Sequence, residues 1–182
     1  FAALDATQQR IVECLLRDAR HAGVGLEETK RLRFNAIQAE LAELATSFNN
    51  HVLDATRQFG LIVRDPRQMA GTPASLRELA AQNAREHGEA DATPENGPWR
   101  LSLDAPVLFP FLEHGEDRAL REQLYRASIG RASSGELDNT PVLERILALR
   151  HEMANLLGFA SYAELSLDAK MAPGVAAVDA LL

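Results

Sequence analysis

The chain has 182 residues, of which 46% are hydrophobic and only 5% aromatic, and its formal net charge is −7. A composition so poor in aromatic residues favours packed helices over a β-sandwich, which draws on β-branched and aromatic side chains. The excess of acidic residues repels phosphate groups and argues against nucleic-acid binding. The sequence has no run of the roughly 18 apolar residues that a membrane span requires, so we expect no membrane partner.

Cys14 is the single cysteine of the sequence. One thiol excludes an internal disulfide and is typical of a reducing compartment, which predicts a cytoplasmic protein. Cys14 lies in an amphipathic helical pattern with no histidine beside it to activate a nucleophile. We therefore predict that it is a small buried core residue.

The two ends of the sequence predict a fragment of a longer protein. The chain begins at Phe1, without a basic and apolar signal segment, and ends in an apolar run from Ala176 to Leu182. A truncated helix at 175–182 would expose apolar surface, so we also expect the fragment to self-associate.

A helical hairpin is predicted for residues 1–60. Asp5, followed three residues later by Gln8, is typical of a capping box, and Gly23 and Gly25 predict the end of the first helix. Apolar residues recur between these signals at helical spacing: Ile11, Leu15, Ala19 and Ala22.

The second helix of the hairpin carries the most regular pattern in the sequence. Its apolar residues step by three or four over nearly four heptads: Phe34, Ile37, Leu41, Leu44, Phe48, Val52, Ala55 and Phe59. This seam predicts one helix over about 27–59, antiparallel to the first helix across a short glycine-containing loop.

Residues 61–110 predict a small two-stranded β ribbon with an intervening helix and loop. Residues 61–63 form a short β-prone run, and Trp99, Leu101 and Leu103 alternate with polar residues, so we expect the two segments to pair. Thr72-Pro73 predicts the start of a helix that ends near His87, with Thr72 as its cap. The polar segment 86–98 is the best candidate for a mobile loop, and Pro106 and Pro110 predict a break in regular structure.

Residues 111–182 predict a helical bundle. We expect helices over about 117–132, from Thr140-Pro141 to Gly158, from Ser161 with Glu164 as its capping partner, and after Pro173. The fold class is therefore predicted to be mainly α: an antiparallel helical bundle with a long helix hairpin and a small two-stranded β ribbon.

One segment resembles a metal-binding motif. A zinc peptidase helix carries His-Glu-x-x-His, in which two imidazoles one turn apart bind the metal and the Glu acts on a zinc-bound water. The sequence has His151-Glu152, but Asn155 occupies the position of the second histidine, and an amide is a poor zinc ligand. We interpret this segment as a structural helix with a partly exposed His and Glu.

The remaining candidates for chemistry are weak. The other four histidines lie far apart, the Gly23-Val24-Gly25 run lacks the context of a phosphate-binding loop, and Ser133-Ser134-Gly135 is typical of a loop after a helix. We therefore assign no catalytic, cofactor-binding or metal-binding residue within the chain.

Several segments in order along the chain resemble the oligopeptidase A branch of the thimet oligopeptidase and neurolysin family. They are Asn49-Asn50 with 52–56, 101–106, Leu120-Arg121-Glu122, Tyr125-Arg126-Ala127, Arg131-Ala132-Ser133, 138–141, 144–152, 156–159, Ser161-Tyr162-Ala163 and Lys170-Met171-Ala172. Segments 58–60 and 86–98 depart from the family pattern.

The resemblance implies a large helical zinc metalloendopeptidase with a deep channel that admits short peptides. Its zinc, held by a His-Glu-x-x-His helix and a further Glu, would belong to a C-terminal catalytic half that this chain lacks, so the fragment itself would hold no zinc and be inactive. The chain would form part of the N-terminal channel wall, with short peptides and the catalytic half as its partners. The alternative is a non-enzymatic helical interaction or scaffold module, with the helix at 34–59 as its docking surface; the residues alone slightly favour this alternative.

Overall fold

The structure is a computed structural model that describes residues 4–182. The first three residues of the predicted hairpin segment 1–60 lie outside the described part. Eight α-helices occur in residues 4–182: α1 (Ala6–His21), α2 (Glu28–Gln58), α3 (Ala74–Glu86), α4 (Ala105–His114), α5 (Arg118–Ile129), α6 (Thr140–Leu156), α7 (Tyr162–Leu167) and α8 (Val175–Asp179). Two strands, β1 (Leu61–Val63) and β2 (Trp99–Leu101), and two 3-10 helices, Pro66–Met69 and Gly135–Leu137, complete the described elements. The prediction of a mainly α fold with a two-stranded ribbon is confirmed.

The contacts of the backbone divide the chain into two compact units. The first unit comprises Phe1–Ser47 together with Pro141–Leu182, and the second comprises Phe48–Thr140. The predicted division into segments 1–60, 61–110 and 111–182 stays a prediction.

The first unit has its buried centre on α2 and α6. Phe34 and Ile37 of α2, Leu149 and Ala154 of α6, and Leu165 of α7 are its buried apolar residues. The predicted starts of α1 and α7 are confirmed, because local capping fixes them: Asp5 and Gln8 form a capping box, and the Ser161 hydroxyl accepts from the backbone N–H of Glu164.

One expectation about α1 is wrong, because Cys14 is half-buried and not a core residue. The helix itself has no buried residue, and Ile11 and Leu15 are 55% and 63% exposed. Burial depends on what packs against a helix, and the helical spacing by itself does not supply a partner.

The second unit is built on the ribbon. Strands β1 and β2 pair antiparallel with Leu61 opposite Leu101 and Val63 opposite Trp99, which confirms the predicted pairing. Helix α3 packs on β2, and α4 packs on both α3 and α5. The core gathers apolar residues from every one of these elements: Val63, Met69, Leu76, Ala80, Ala81, Ala84, Ala92, Trp99, Leu101, Leu103, Val107, Leu108, Phe111, Leu120 and Leu124.

The predicted break at Pro106 and Pro110 is wrong, because both residues lie within α4. Pro106 occupies the first turn, where a backbone N–H has no partner inside the helix. Pro110 removes one hydrogen bond from the helix interior at a cost of about 3 kcal/mol. Burial of Val107 and Phe111, neighbours on the core side of α4, offsets that cost.

Part of the segment 86–98, which the sequence made the best candidate for a mobile loop, packs on the core, while its mobility stays a prediction. Thr93 and Gly97 form an isolated bridge, and Ala92 is buried with its carbonyl accepting from Arg85 at 2.7 Å. The indole N–H of Trp99 donates to the carbonyl of Pro94 at 3.2 Å. These bonds connect residues 92–97 to α3 and to β2.

Two finer predictions in the second unit are also corrected. Thr72 does not cap α3: its hydroxyl donates to the carbonyl of Met69 at 2.6 Å and accepts from Arg77, so Pro73 takes the cap position without a side-chain bond. Ser102, expected on the exposed side of the strand pattern, is buried and donates to the Asp104 carboxylate at 2.8 Å.

The described residues include no helix that is both long and apolar enough to cross a membrane.

Candidate functional site

A groove in the second unit is the candidate functional site. Its volume is about 550 Å³, which lies within the range of roughly 300–1,000 Å³ typical of ligand pockets. Its walls are the end of α2, residue 103, the end of α5 and the loop that follows α5. We call it the α5 groove and define it by its lining residues: Ala55, Gln58, Phe59, Leu103, Ala127, Gly130, Arg131, Ala132, Ser134, Gly135, Glu136 and Leu137.

Asn139 fixes the loop of the α5 groove to α2. The residue is 3% exposed, and its Nδ2 donates to the carbonyl of Phe48 at 3.1 Å. Because a carbonyl can only accept, the amide oxygen must face His51, whose Nδ1 lies 2.8 Å away and therefore carries the proton. The buried amide thus bonds to both a backbone carbonyl and a side chain of α2.

Arg131 makes a second connection from this loop to α2. Its Nη1 donates to the hydroxyl of Thr56 at 3.2 Å, and its Nε donates to the carbonyl of Ser128 at 3.0 Å. Two of its donor groups are therefore used inside the protein. The groove wall is positioned by these bonds as well as by backbone geometry.

Ala132 adopts an unusual backbone conformation at the turn of the loop. Its φ of 50° lies in the left-handed region, which a residue with a Cβ seldom occupies. Its carbonyl accepts from the backbone N–H of Asn139 at 2.9 Å, which closes the loop. Backbone strain of this kind is held in place by the surrounding contacts and is concentrated at functional sites in proteins.

The side chains that line the α5 groove are of the kinds that bind a ligand. Phe59 and Leu137 supply apolar surface, while the amide of Gln58 and the carboxylate of Glu136 supply polar groups. Such a mixture suits a peptide, which presents apolar side chains together with backbone donors and acceptors. The sequence predicted a loop here but not the groove, since its walls come from distant parts of the chain.

The half-motif at His151 does not fit a zinc ion. Both carboxylate oxygens of Glu152 accept from Arg33, from Nε at 2.6 Å and from Nη2 at 2.6 Å. The bond from Arg33 lowers the pKa of Glu152 and keeps it ionised, but it also occupies the oxygens that would face a metal-bound water. Asn155, one turn after His151, offers an amide rather than an imidazole. This helix holds an ion pair in place of a zinc site.

A second ion pair of the same kind connects α2 and α6. Arg145 donates to both carboxylate oxygens of Glu40, at 2.6 and 2.9 Å, and lowers the pKa of that carboxyl. Bidentate geometry makes both pairs more directional than an ordinary surface contact.

The remaining histidines have separate partners. His21 lies 2.8 Å from Asp168 with its ring against the edge of Phe159, and His87 contacts the carbonyl of Asn83 at 2.8 Å. His114 lies 3.8 Å from its neighbour Glu113. Within residues 4–182, no three His, Cys, Asp or Glu side chains are grouped as a metal site would require. The prediction that the chain holds no site residue stays a prediction.

Comparison with known proteins assigns the chain to a family. The family model for peptidase family M3 matches residues 111–182. The chain is 45% identical over 172 residues to the organellar oligopeptidase A, chloroplastic/mitochondrial, of Arabidopsis thaliana, and 45% identical over 170 residues to its probable cytosolic oligopeptidase A; these matches cover 94% and 93% of the chain. It is 42% identical over 177 residues to oligopeptidase A of Escherichia coli, again over 94% of the chain.

The chain spans about a quarter of the length of these relatives, since the matches cover 22%, 24% and 25% of them. The similarity nonetheless covers 93–94% of the chain and includes the segments that carried the resemblance. The chain belongs to the oligopeptidase A branch of peptidase family M3.

Proposed function

We propose that this chain forms a non-catalytic part of the helical channel wall of a zinc-dependent oligopeptidase that hydrolyses short peptides. The observation that carries the proposal is the identity of 42–45% to oligopeptidase A proteins over nearly the whole chain. Zinc and the groups that act on the scissile bond would come from the C-terminal half of the longer protein.

The α5 groove supports a binding role for the chain. A rigid wall accelerates a reaction by restricting the poses of a bound peptide, provided that the catalytic groups are supplied beside it. The groove has the rigidity that this requires, because Asn139 and Arg131 attach its loop to α2. We infer that apolar peptide side chains contact the half-buried Leu137 and Phe59 there.

The chemistry of α6 supports the non-catalytic assignment. The one segment that resembles a zinc motif has Asn155 in the place of a ligand, and its acidic residue, Glu152, is bonded to Arg33. Neither residue is available for the function that the complete motif performs.

The purified chain tests the catalytic part of the proposal. We expect no cleavage of internally quenched peptides of five to fifteen residues, and no stoichiometric zinc by elemental analysis after dialysis. Cleavage that a chelator abolishes, and that is lost in a His151→Ala variant, would contradict the proposal.

The binding part of the proposal is tested in the longer protein, which includes the catalytic half. We expect Leu137→Glu, which places a charge in the groove, to raise KM for an apolar peptide more than it lowers kcat. Leu53→Glu, at an exposed position of α2 outside the groove, is the matched control and should leave both constants unchanged. Equal effects of the two substitutions would argue against a peptide at the groove.

A second candidate function, a helical interaction module, is favoured by apolar residues on the surface of the first unit. Ile11 and Leu15 of α1, and Leu143 and Leu147 of α6, are exposed one helical turn apart on their helices. This candidate predicts self-association of the isolated chain. Light scattering at increasing concentration tests it, and a monomer at every concentration would count against it.

We also propose the cytoplasm as the compartment of the protein. The single thiol and the probable cytosolic relative support this assignment, while a relative of equal identity is described as organellar. Cell fractionation distinguishes the two.

A further inference from the structure

A cleft in the first unit has a charge opposite to that of the whole chain. It lies between α1 and the segment after α7, and its volume is about 930 Å³. We call it the basic cleft and define it by its lining residues: Arg10, Glu13, Arg17, Arg20, Asp168, Ala169, Lys170 and Met171. Four cationic and two acidic side chains line it, in a chain whose net charge is −7.

The acidic residues of the basic cleft are already engaged. Asp168 lies 2.8 Å from Nε2 of His21, and Glu13 lies 3.8 Å from Arg10. By contrast, Arg20 makes no ion pair within residues 4–182, and Lys170 contacts only the hydroxyl of Ser166, at 2.8 Å. Arg17 is bonded to Asp18 at 3.1 Å and Arg10 lies 3.8 Å from Glu13, so Arg20 and Lys170 are the cations of the cleft that make no ion pair within residues 4–182.

The spacing of the cations selects an extended ligand. Arg10, Arg17 and Arg20 follow one another at intervals of seven and three residues, so they lie on one face of α1. The ten residues from Arg10 to Arg20 rise roughly 15 Å, which a single small anion cannot span. Acidic side chains four residues apart in an extended peptide are separated by about 13 Å and lie on the same side of it.

Met171 adds an apolar group to the cleft. Its side chain is fully exposed, and Ala169 lies beside it in the lining. An inorganic polyphosphate has no group that would contact a thioether, whereas a peptide with apolar residues between its acidic ones does.

We propose that the basic cleft binds an extended acidic peptide segment in which carboxylates contact Arg10, Arg20 and Lys170 and an apolar side chain covers Met171. This site is separate from the α5 groove and does not depend on the peptidase assignment. The ligand is recognised through its carboxylates, which meet the arginines spaced along α1, and not by catalytic chemistry.

Titration calorimetry of the chain at low salt tests the proposal with four probes. They are a blocked nonapeptide, Glu-Ser-Leu-Ser-Glu-Ser-Leu-Ser-Glu, in which Glu and Leu lie on the same side of an extended chain, its Gln–Leu and Lys–Leu counterparts, and sodium tripolyphosphate. We expect only the Glu–Leu peptide to bind measurably, with affinity that falls as salt is added. Binding of the Gln–Leu peptide with equal affinity, tripolyphosphate binding alone, or no binding by any probe would each overturn the proposal.

Paired variants locate the binding. The double variant Arg20→Gln, Lys170→Gln should weaken the Glu–Leu peptide about tenfold or more, because it removes two charge-assisted contacts. Arg64→Gln with Arg126→Gln makes the same change in net charge at exposed arginines of the second unit that pair with Glu89 and Glu122. An equal loss in this control would show non-specific attraction and overturn the assignment. Circular dichroism of each variant confirms that the helices are retained.

Discussion

Replacement of Asn139 by alanine tests the attachment of the groove loop to α2. The substitution removes two hydrogen bonds, one to the carbonyl of Phe48 and one from His51, at a residue that is 3% exposed. Each bond contributes about 1 kcal/mol net. The Phe48 carbonyl stays within a helix and the His51 ring is partly exposed, so neither group is left buried without a partner. We therefore expect the free energy of unfolding of the second unit to fall by about 2 kcal/mol.

The assay is a urea titration followed by tryptophan fluorescence. Trp99 is the single tryptophan and is 1% exposed in the core of the second unit, so its emission reports on the unit that contains Asn139. With a urea dependence of about 2 kcal/mol/M, the midpoint should fall by about 1 M. Asn155→Ala, at an exposed amide of the first unit, should leave the midpoint within the equivalent of about 0.5 kcal/mol. An unchanged midpoint in Asn139→Ala would refute the reasoning.

Two further predictions concern a glycine and a carboxylate. Gly97→Ala should lower stability and shift Trp99 emission to the red, because the new Cβ would lie 2.6 Å from the indole ring at a φ of +73°. Gly88→Ala, at a φ of +99° with no atom within 4 Å, should cost only the backbone strain of about 1–2 kcal/mol; equal spectra for the two variants would contradict the packing argument. The bond from Arg33 lowers the pKa of Glu152, so the stabilisation is complete above the ordinary Glu value of about 4.3 and is lost as the pH falls through the lower folded value. Below about pH 4, the melting temperature of the natural protein should therefore fall more steeply with pH than that of Glu152→Gln. Parallel decreases in melting temperature would count against a stabilising ion pair.

The parts of the fold that could be predicted from the sequence are those fixed by neighbouring residues. Asp5 and Ser161 mark helix starts because an N-cap oxygen bonds a backbone N–H only a few residues away. The seam of α2 is likewise visible, and its residues from Phe34 to Phe59 are buried or half-buried in the structure.

Burial that depends on distant partners could not be predicted in the same way. The spacing of Ile11 and Leu15 indicates a helix, yet both residues are exposed, because within the first unit the buried apolar side chains come from other helices. Pro110 illustrates the opposite error. A local rule predicts a break, but the buried neighbours of the proline keep α4 intact.

The candidate site could not be predicted from neighbouring residues either. Asn139 belongs to a segment that carried the family resemblance, but its partner Phe48 lies 91 residues earlier, and no pattern links the two. That His151 does not belong to a zinc motif could be predicted from the sequence, because Asn155 stands where the second histidine ligand would be. The bonding of Glu152 to Arg33 required the structure.

The two ion pairs between α2 and α6 have a consequence for how these helices align. Arg33 and Glu40 lie seven residues apart on one helix, and their partners Glu152 and Arg145 lie seven apart on the other in reverse order. Sliding α6 by two turns in one direction would bring Arg33 against Arg145, and in the other direction Glu40 against Glu152. Each misalignment places two like charges side by side. The order of the charges on α2 and α6 therefore disfavours a shift of seven residues, which a seven-residue apolar repeat would permit.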